Sequence, residues 1–142
     1  MNNSDRQKAL SAFQRCRVLE EANGEYVRCI SCGKIVHVSH ADGGHYESRK
    51  NRVTELLPEN VHAQCVTCNR FLDGNHDGYR QGLIERYGVD YVDRLETIVS
   101  ASKGCEEAMS RLSDEDKEYF KEKDYKEVAK ECQKKLKKLK RR

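Results

Sequence analysis

Two Cys-x-x-Cys pairs, Cys29/Cys32 and Cys65/Cys68, constrain this chain more than any other feature of it. A two-residue gap lets one tight turn present two thiolates to a single ion. Two such turns complete a tetrahedral shell around zinc. A closed shell of four thiolates leaves no position for a substrate, so the expected zinc is structural, one per chain. Gly33 follows the first pair directly and suits a knuckle that needs left-handed backbone. The staple matters because the rest of the chain is poor in core-forming residues. Of 142 residues, 37% are apolar and 36% charged, which predicts a small core. Cys16, Cys105 and Cys132 stand in no paired spacing and read as packed or bystander thiols.

No stretch is long and apolar enough to cross a membrane, and the N-terminus shows no signal-peptide pattern. The expectation is a cytoplasmic protein with reduced cysteines and no membrane partner. Net charge is only +3, but it is unevenly spread. The nine residues Lys134 to Arg142 carry seven basic side chains and no acid, whereas Ser113 to Glu131 carries eight acids. A basic end on a nearly neutral body suits phosphate binding, which makes Lys134, Lys135, Lys137 and Lys138 candidate DNA contacts. A solvated helix end would explain the same pattern.

Apolar residues at spacings of three and four predict a helix over residues 6–22, stopped by Asn23-Gly24. Tyr26 to Val38 is β-like around the first cysteine pair, and His40 to Tyr46 is a glycine-containing turn or irregular strand. Ser48 to Thr54 reads as an exposed loop. A helix starting near Thr67 or Cys68 should stop or bend at Asp73-Gly74-Asn75. Tyr79, Leu83, Ile84 and Tyr87 form a second stripe closed by Gly88, with Tyr79 read as core. Asp90 is the expected N-cap of a third helix with Val92, Leu95 and Val99 inward. Asp124 with Glu127 opens a C-terminal helix striped by Tyr125, Val128, Cys132, Leu136 and Leu139. The stripe could pair with a second copy, which keeps a homodimer open. The expected class is α+β, mostly helical, in one domain over 1–142. An N-terminal helix (1–24) precedes a zinc-stabilised core (25–80), a helical extension (81–112) and a C-terminal helix with its basic tail (113–142).

The segment between the cysteine pairs is too polar for a mere connector. It holds His37, His40, Asp42, His45, Asn60 and His62, and Asn69, Asp73, Asn75 and His76 follow soon after. Neutral imidazole is a base near neutral pH, while carboxylate and amide oxygens suit a hard cation such as Mg²⁺. Together they are what phosphodiester hydrolysis needs. His37 and His40 read as surface or hairpin residues, and His62 as either a phosphate contact or a strand residue. Arg80 is a further candidate DNA contact.

The runs Cys29-Ile-Ser-Cys32-Gly33, Asp42-Gly-Gly-His45-Tyr46, Asn60-Val-His-Ala-Gln-Cys65-Val-Thr-Cys68-Asn69 and Gly74-Asn75 with Tyr79-Arg80 resemble the NinG (Rap) family of lambdoid-phage recombination proteins. Within them lies the broader HNH, or His-Me finger, pattern. The resemblance implies a ββα-metal core wrapped around a treble-clef zinc, and endonuclease action on branched DNA in a phage-infected or prophage-carrying host. It also implies roles for particular residues. His45 matches the general base. Asn60, five residues before Cys65, matches the middle Asn, whose amide holds the loop that steadies the base. Asn69 stands where the third His ligates the catalytic metal, and an amide there favours Mg²⁺ or Mn²⁺ over a softer ion.

One position departs from the pattern. The residue before the base usually binds metal, and here it is Gly44. Asp42 is the expected substitute, swung inward by a bulge at Gly43-Gly44. Asn75 and Asp73 compete for the remaining ligand position. A treble clef can also serve as a plain scaffold, so a non-catalytic zinc module that binds DNA or protein stands as the alternative to a nuclease.

Overall fold

Nearly every β residue falls between positions 26 and 65, with helices before and after. The computed structural model describes residues 3–141. Helix α1 runs Asn3–Glu21. Strands β1 (Tyr26–Arg28) and β2 (Ile35–His37) pair antiparallel around the first cysteine pair. Strands β3 (Ala41–His45) and β4 (Val61–Cys65) form a second antiparallel pair, and β4 ends on the third cysteine. A π-helical turn (Thr67–Phe71) leads to helices α2 (His76–Tyr87) and α3 (Val89–Ser102). Short helices α4 (Glu106–Ser110) and α5 (Asp114–Lys117) precede α6 (Tyr125–Lys140). Among the described residues no helix is long and apolar enough to cross a membrane.

Local signals set most helix ends. The turn at Asp73, Gly74 and Asn75 breaks the helical path with positive φ at all three residues. Gly88, at φ 93°, closes α2. It also caps α3, so Asp90 sits inside the first turn of α3 rather than at its cap. Asp124 caps α6 by accepting from the Glu127 N–H at 3.2 Å, as its spacing predicts. No apolar stripe or side-chain cap announces α4, which falls within the expected helical extension, and no apolar stripe announces α5. Ser113 caps α5 with its side chain, and three acids occupy the positive first turn of that helix.

The main core gathers Ile30, Leu57, Tyr79, Leu83, Leu95 and Ile98 between the strands and helices α2 and α3. Residues 48–54 are not wholly an exposed loop. Val53 joins this core and Thr54 is fully buried, because the loop turns inward before Leu57. The expected bulge at Gly43-Gly44 is absent. β3 and β4 keep five consecutive pairs, from Ala41↔Cys65 to His45↔Val61. The first half of the α6 stripe is covered within the chain: Tyr125 and Ala129 bury against Ala9 of α1, and the Cys16 thiol donates to the Cys132 carbonyl at 3.3 Å, whereas Leu136 and Leu139 stay partly exposed.

Glu55 is the polar anchor of this arrangement. It is fully buried. Its carboxylate accepts from Arg6 Nε at 2.9 Å and a second Arg6 nitrogen at 2.7 Å, and from the Tyr125 hydroxyl. It thereby joins α1, α6 and the 48–57 segment. Removing one partner of a buried ion pair leaves the other uncompensated, at a cost of about 3 to 5 kcal/mol. Glu55→Ala should accordingly lose about 3 kcal/mol in urea unfolding, with Glu55→Gln losing less. A loss under about 1 kcal/mol would mean that the pair is dispensable.

Candidate functional site

The sulfur atoms of Cys29, Cys32, Cys65 and Cys68 all lie within 4.8 Å of one another. Cys32 Sγ and Cys65 Sγ are 3.8 Å apart, close to the roughly 3.8 Å that 2.3 Å bonds in a tetrahedron impose. The first knuckle closes through Gly33, at φ 78°, whose N–H donates to the Cys29 carbonyl at 2.9 Å. In the second, the Cys68 N–H donates to Cys65 Sγ at 3.4 Å. Asn75 Nδ2 donates to Cys68 Sγ at 3.3 Å. Burial pushes the Cys68 thiol up to about 12, and the Asn75 donor works the other way. The four cysteines can hold one metal ion, and a four-thiolate donor set suits zinc.

His45 ends β3 half-buried, with Nε2 2.8 Å from the Glu55 carbonyl. A carbonyl only accepts, so Nε2 carries the proton and Nδ1 keeps its lone pair. No hydrogen bond engages Nδ1 among the described residues. Burial pushes the imidazolium down to about 4, although the Glu55 carbonyl works the other way. The ring is therefore neutral near pH 7. Asn60 is fully buried and braces the segment that supplies this carbonyl. Its Oδ1 accepts from the Glu47 N–H at 2.7 Å, and its Nδ2 donates to the carbonyls of Glu47 and Thr54, each at 3.0 Å.

Asp42 lies on the opposite face of the β3–β4 ladder, since side chains alternate along a strand. It forms a cluster with Asn69 and Arg70. Asn69 Nδ2 donates to Asp42 Oδ2 at 3.0 Å, and Arg70 grips both carboxylate oxygens at 2.9 Å each. Burial alone would raise the Asp42 carboxyl, but the Arg70 and Asn69 bonds hold it below its ordinary value. Ser11, Gln14 and Arg15 of α1 line the same shallow pocket. Asn75 stands apart, with its amide nitrogen on Cys68 Sγ and its oxygen capping α2 at Gly78. Its place is beside the cysteine cluster rather than beside Asp42. No hydrogen bond joins His45 to Asp42, Asn69 or Asn75 among the described residues.

His62 is buried, and this corrects the expectation of a phosphate contact. Nδ1 pairs with Glu21 of α1, Nε2 lies 3.0 Å from the Glu59 carbonyl, and the ring is 1% exposed. The other Glu21 oxygen accepts from the Ala63 N–H at 2.7 Å, so the pair fastens α1 to β4. Tyr79 is core, as expected, and its hydroxyl donates to the Gly44 carbonyl at 2.7 Å. Arg80 is at the surface, 3.9 Å from Glu96. Lys135 pairs with Glu20 at 3.0 Å, while Lys134 and Lys137 line an open face of α6 with Lys130 and Lys140. Lys138 is also on the exposed surface of α6, and Arg142 lies outside the described residues. Glu55, Glu21 and Gln64 were not singled out from the sequence, because their partners are remote along the chain.

Two measurements follow from this geometry. Elemental analysis should find one zinc per chain, retained through mild chelation that strips hard cations. A zinc-free protein that still unfolds cooperatively would sink the metal assignment. An NMR titration of His45 should give a midpoint near 4 rather than 6.5. The unfolded chain binds this proton below about 6.5 and the folded chain refuses it until about 4. Stability should be complete above that window and fall as pH drops through it. His45→Gln should flatten this dependence, and a midpoint near 6.5 would contradict the buried, neutral ring.

The family model described as Bacteriophage Lambda NinG protein matches residues 2–142. Protein ninG of Salmonella phage P22 is 38% identical over 97 residues, which cover 64% of this chain and 42% of that protein. Protein ninG of Escherichia phage lambda is 37% identical over 97 residues, with the same coverage. The chain thus matches less than half the length of these relatives. No solved structure matches it. A family match running across almost the whole sequence means that the chain belongs to the NinG family of bacteriophage proteins.

Proposed function

We propose that this protein is a metal-dependent DNA endonuclease of the HNH type, with a treble-clef zinc core, that cuts branched DNA such as recombination junctions. The observation that carries the proposal is the state of His45. It is neutral, its Nε2–H is fixed on the Glu55 carbonyl, and its Nδ1 lone pair is free. A ring so held can take a proton from water. Asn60 keeps the supporting segment in place, which fits the role its position implies. Asp42 and Asn69 offer oxygen atoms suited to Mg²⁺ or Mn²⁺. Such a cation would supply charge neutralisation at the phosphate and the leaving oxygen. Arg70 already places positive charge on Asp42, yet its side chain is 62% exposed and can move aside. The exposed lysines of α6 offer a surface for DNA phosphates. The cysteine cluster takes no part in the chemistry and acts through the fold.

One observation favours the alternative, a zinc module that binds DNA without cutting it. His45 and Asp42 leave opposite faces of the ladder, three residues apart along β3. A nuclease must bring the base and the cation to one phosphate across that strand.

His45→Ala decides between the two. It should keep its zinc, its fold and its affinity for a four-way or forked DNA, measured by gel shift without Mg²⁺. Cleavage with Mg²⁺ should fall about 10² to 10⁴-fold, the usual contribution of a positioned base. His37→Ala and His40→Ala should keep most activity. Full activity in the His45 variant would remove it as the base. A wild-type protein that cleaves neither branched nor linear DNA with Mg²⁺ or Mn²⁺ would favour the binding module.

A further inference from the structure

We infer that Gln64 is a ligand of the hard divalent cation held near Asp42, to which it contributes its side-chain oxygen from the neighbouring strand. The inference rests on the cation site proposed above and adds a member to it. Gln64 is the cross-strand partner of Asp42, so the two side chains leave the same face of the ladder. It is fully buried. Its amide nitrogen donates to the Gly74 carbonyl and to Ser31 Oγ. A carbonyl cannot donate, so the nitrogen and oxygen of this amide are not interchangeable. Oε1 must point the other way. There it is the single buried side-chain nitrogen or oxygen without a hydrogen-bond partner among the described residues.

Oε1 packs against Gly44, on the side where Asn69 Oδ1 also lies. A Cβ added at Gly44 would stand 1.9 Å from Gln64 Oε1 and 3.3 Å from Asn69 Oδ1. The Asn69 amide is oriented as well, because its nitrogen donates to Asp42. Its oxygen is thereby turned toward Gly44. Two oriented amide oxygens thus flank Gly44 beside a carboxylate, and no donor hydrogen bond reaches the Gln64 oxygen. Buried acceptors are normally satisfied. A set of carboxylate and amide oxygens is what a hard cation takes, and what a thiophilic ion avoids. Gly44 has its own part here. Any side chain at that position would displace the Gln64 oxygen, so its lack of one admits a ligand from the opposite strand.

The test is Mn²⁺ binding to the zinc-loaded protein, read by electron paramagnetic resonance and independent of cleavage. The wild type should bind one Mn²⁺ competitively with Mg²⁺, and Asp42→Ala should abolish it. Gln64→Leu should weaken it at least tenfold at unchanged zinc content, while Gln64→Glu should retain or tighten it. If Gln64 only stitches β4 to Ser31 and Gly74, both Gln64 variants will lose stability but bind Mn²⁺ like wild type, which overturns the inference. If the wild type itself binds no Mn²⁺, the proposed cation site fails, and this inference with it. Mg²⁺ titration of the labelled wild type covers the case in which the variants do not fold. The Gln64 side-chain carbonyl carbon should shift with saturation, and an unmoved signal would overturn the assignment.

Discussion

The cluster of four cysteines ties the β1–β2 knuckle to the end of β4 and to the turn that follows it. Among the described residues Cys29, Cys65 and Cys68 form a small cluster of their own, with Val36 packed against it. A metal bound by all four would join the β1–β2 knuckle to the end of β4 across 33 residues, a loop whose closure is costly without a cross-link. β4 carries Gln64 and pairs with β3, which carries Asp42 and His45. The cluster therefore sets the base of the ladder on which every candidate site residue of the two strands is mounted. The turn after Cys68 depends on it as well, since Asn69 and Arg70 follow directly and reach back to Asp42.

Buried polar groups do the rest of the positioning. Glu55 joins α1 and α6 with its carboxylate and holds His45 with its carbonyl, so the outer helices and the imidazole share one residue. Asn60 ties down both ends of the 47–54 segment. Glu21 and His62 attach α1 to β4 on the other side. Such groups are costly when unsatisfied and directional when satisfied. In a chain with little apolar residue to bury, they set the register of α1 against the strands. The ring of His45 stays neutral because burial, helped by the nearby charges of Arg49 and Arg6, outweighs the pull of the Glu55 carbonyl and carboxylate.

Much of this was legible because it is local. The cysteine spacing announces coordination chemistry within each tight turn, and four thiols converge as the spacing requires. The breaks at Asp73-Gly74-Asn75 and Gly88 and the cap at Asp124 are written in residues that act on their own backbone. The stripe on α6 was equally clear, though its partner was not: α1 covers the first half of it. The three acids that open α5 read as a charged run until Ser113 is seen to cap them. His62 stayed ambiguous between surface and interior, because a histidine on a strand faces wherever the strand is packed.

The sequence by itself determined the cysteine cluster, the helix breaks at Asp73-Gly74-Asn75 and Gly88, and the polar character of the segment between the cysteine pairs, all of which depend on neighbours a few positions away. Only the tertiary structure decided which polar residues meet. Glu55 finds Arg6 and Tyr125 at separations of 49 and 70 residues, and Gln64 finds Ser31 at 33. Only the regular pairing of β3 with β4 put Asp42 beside Gln64 and turned His45 to the other face. The physical reason is the alternation of a strand: a bulge at Gly43-Gly44 would have shifted every later side chain to the opposite face. Sequence alone cannot tell a glycine that bends a strand from one that makes room for a neighbour, and at Gly44 the packing of Gln64 and Asn69 makes that distinction.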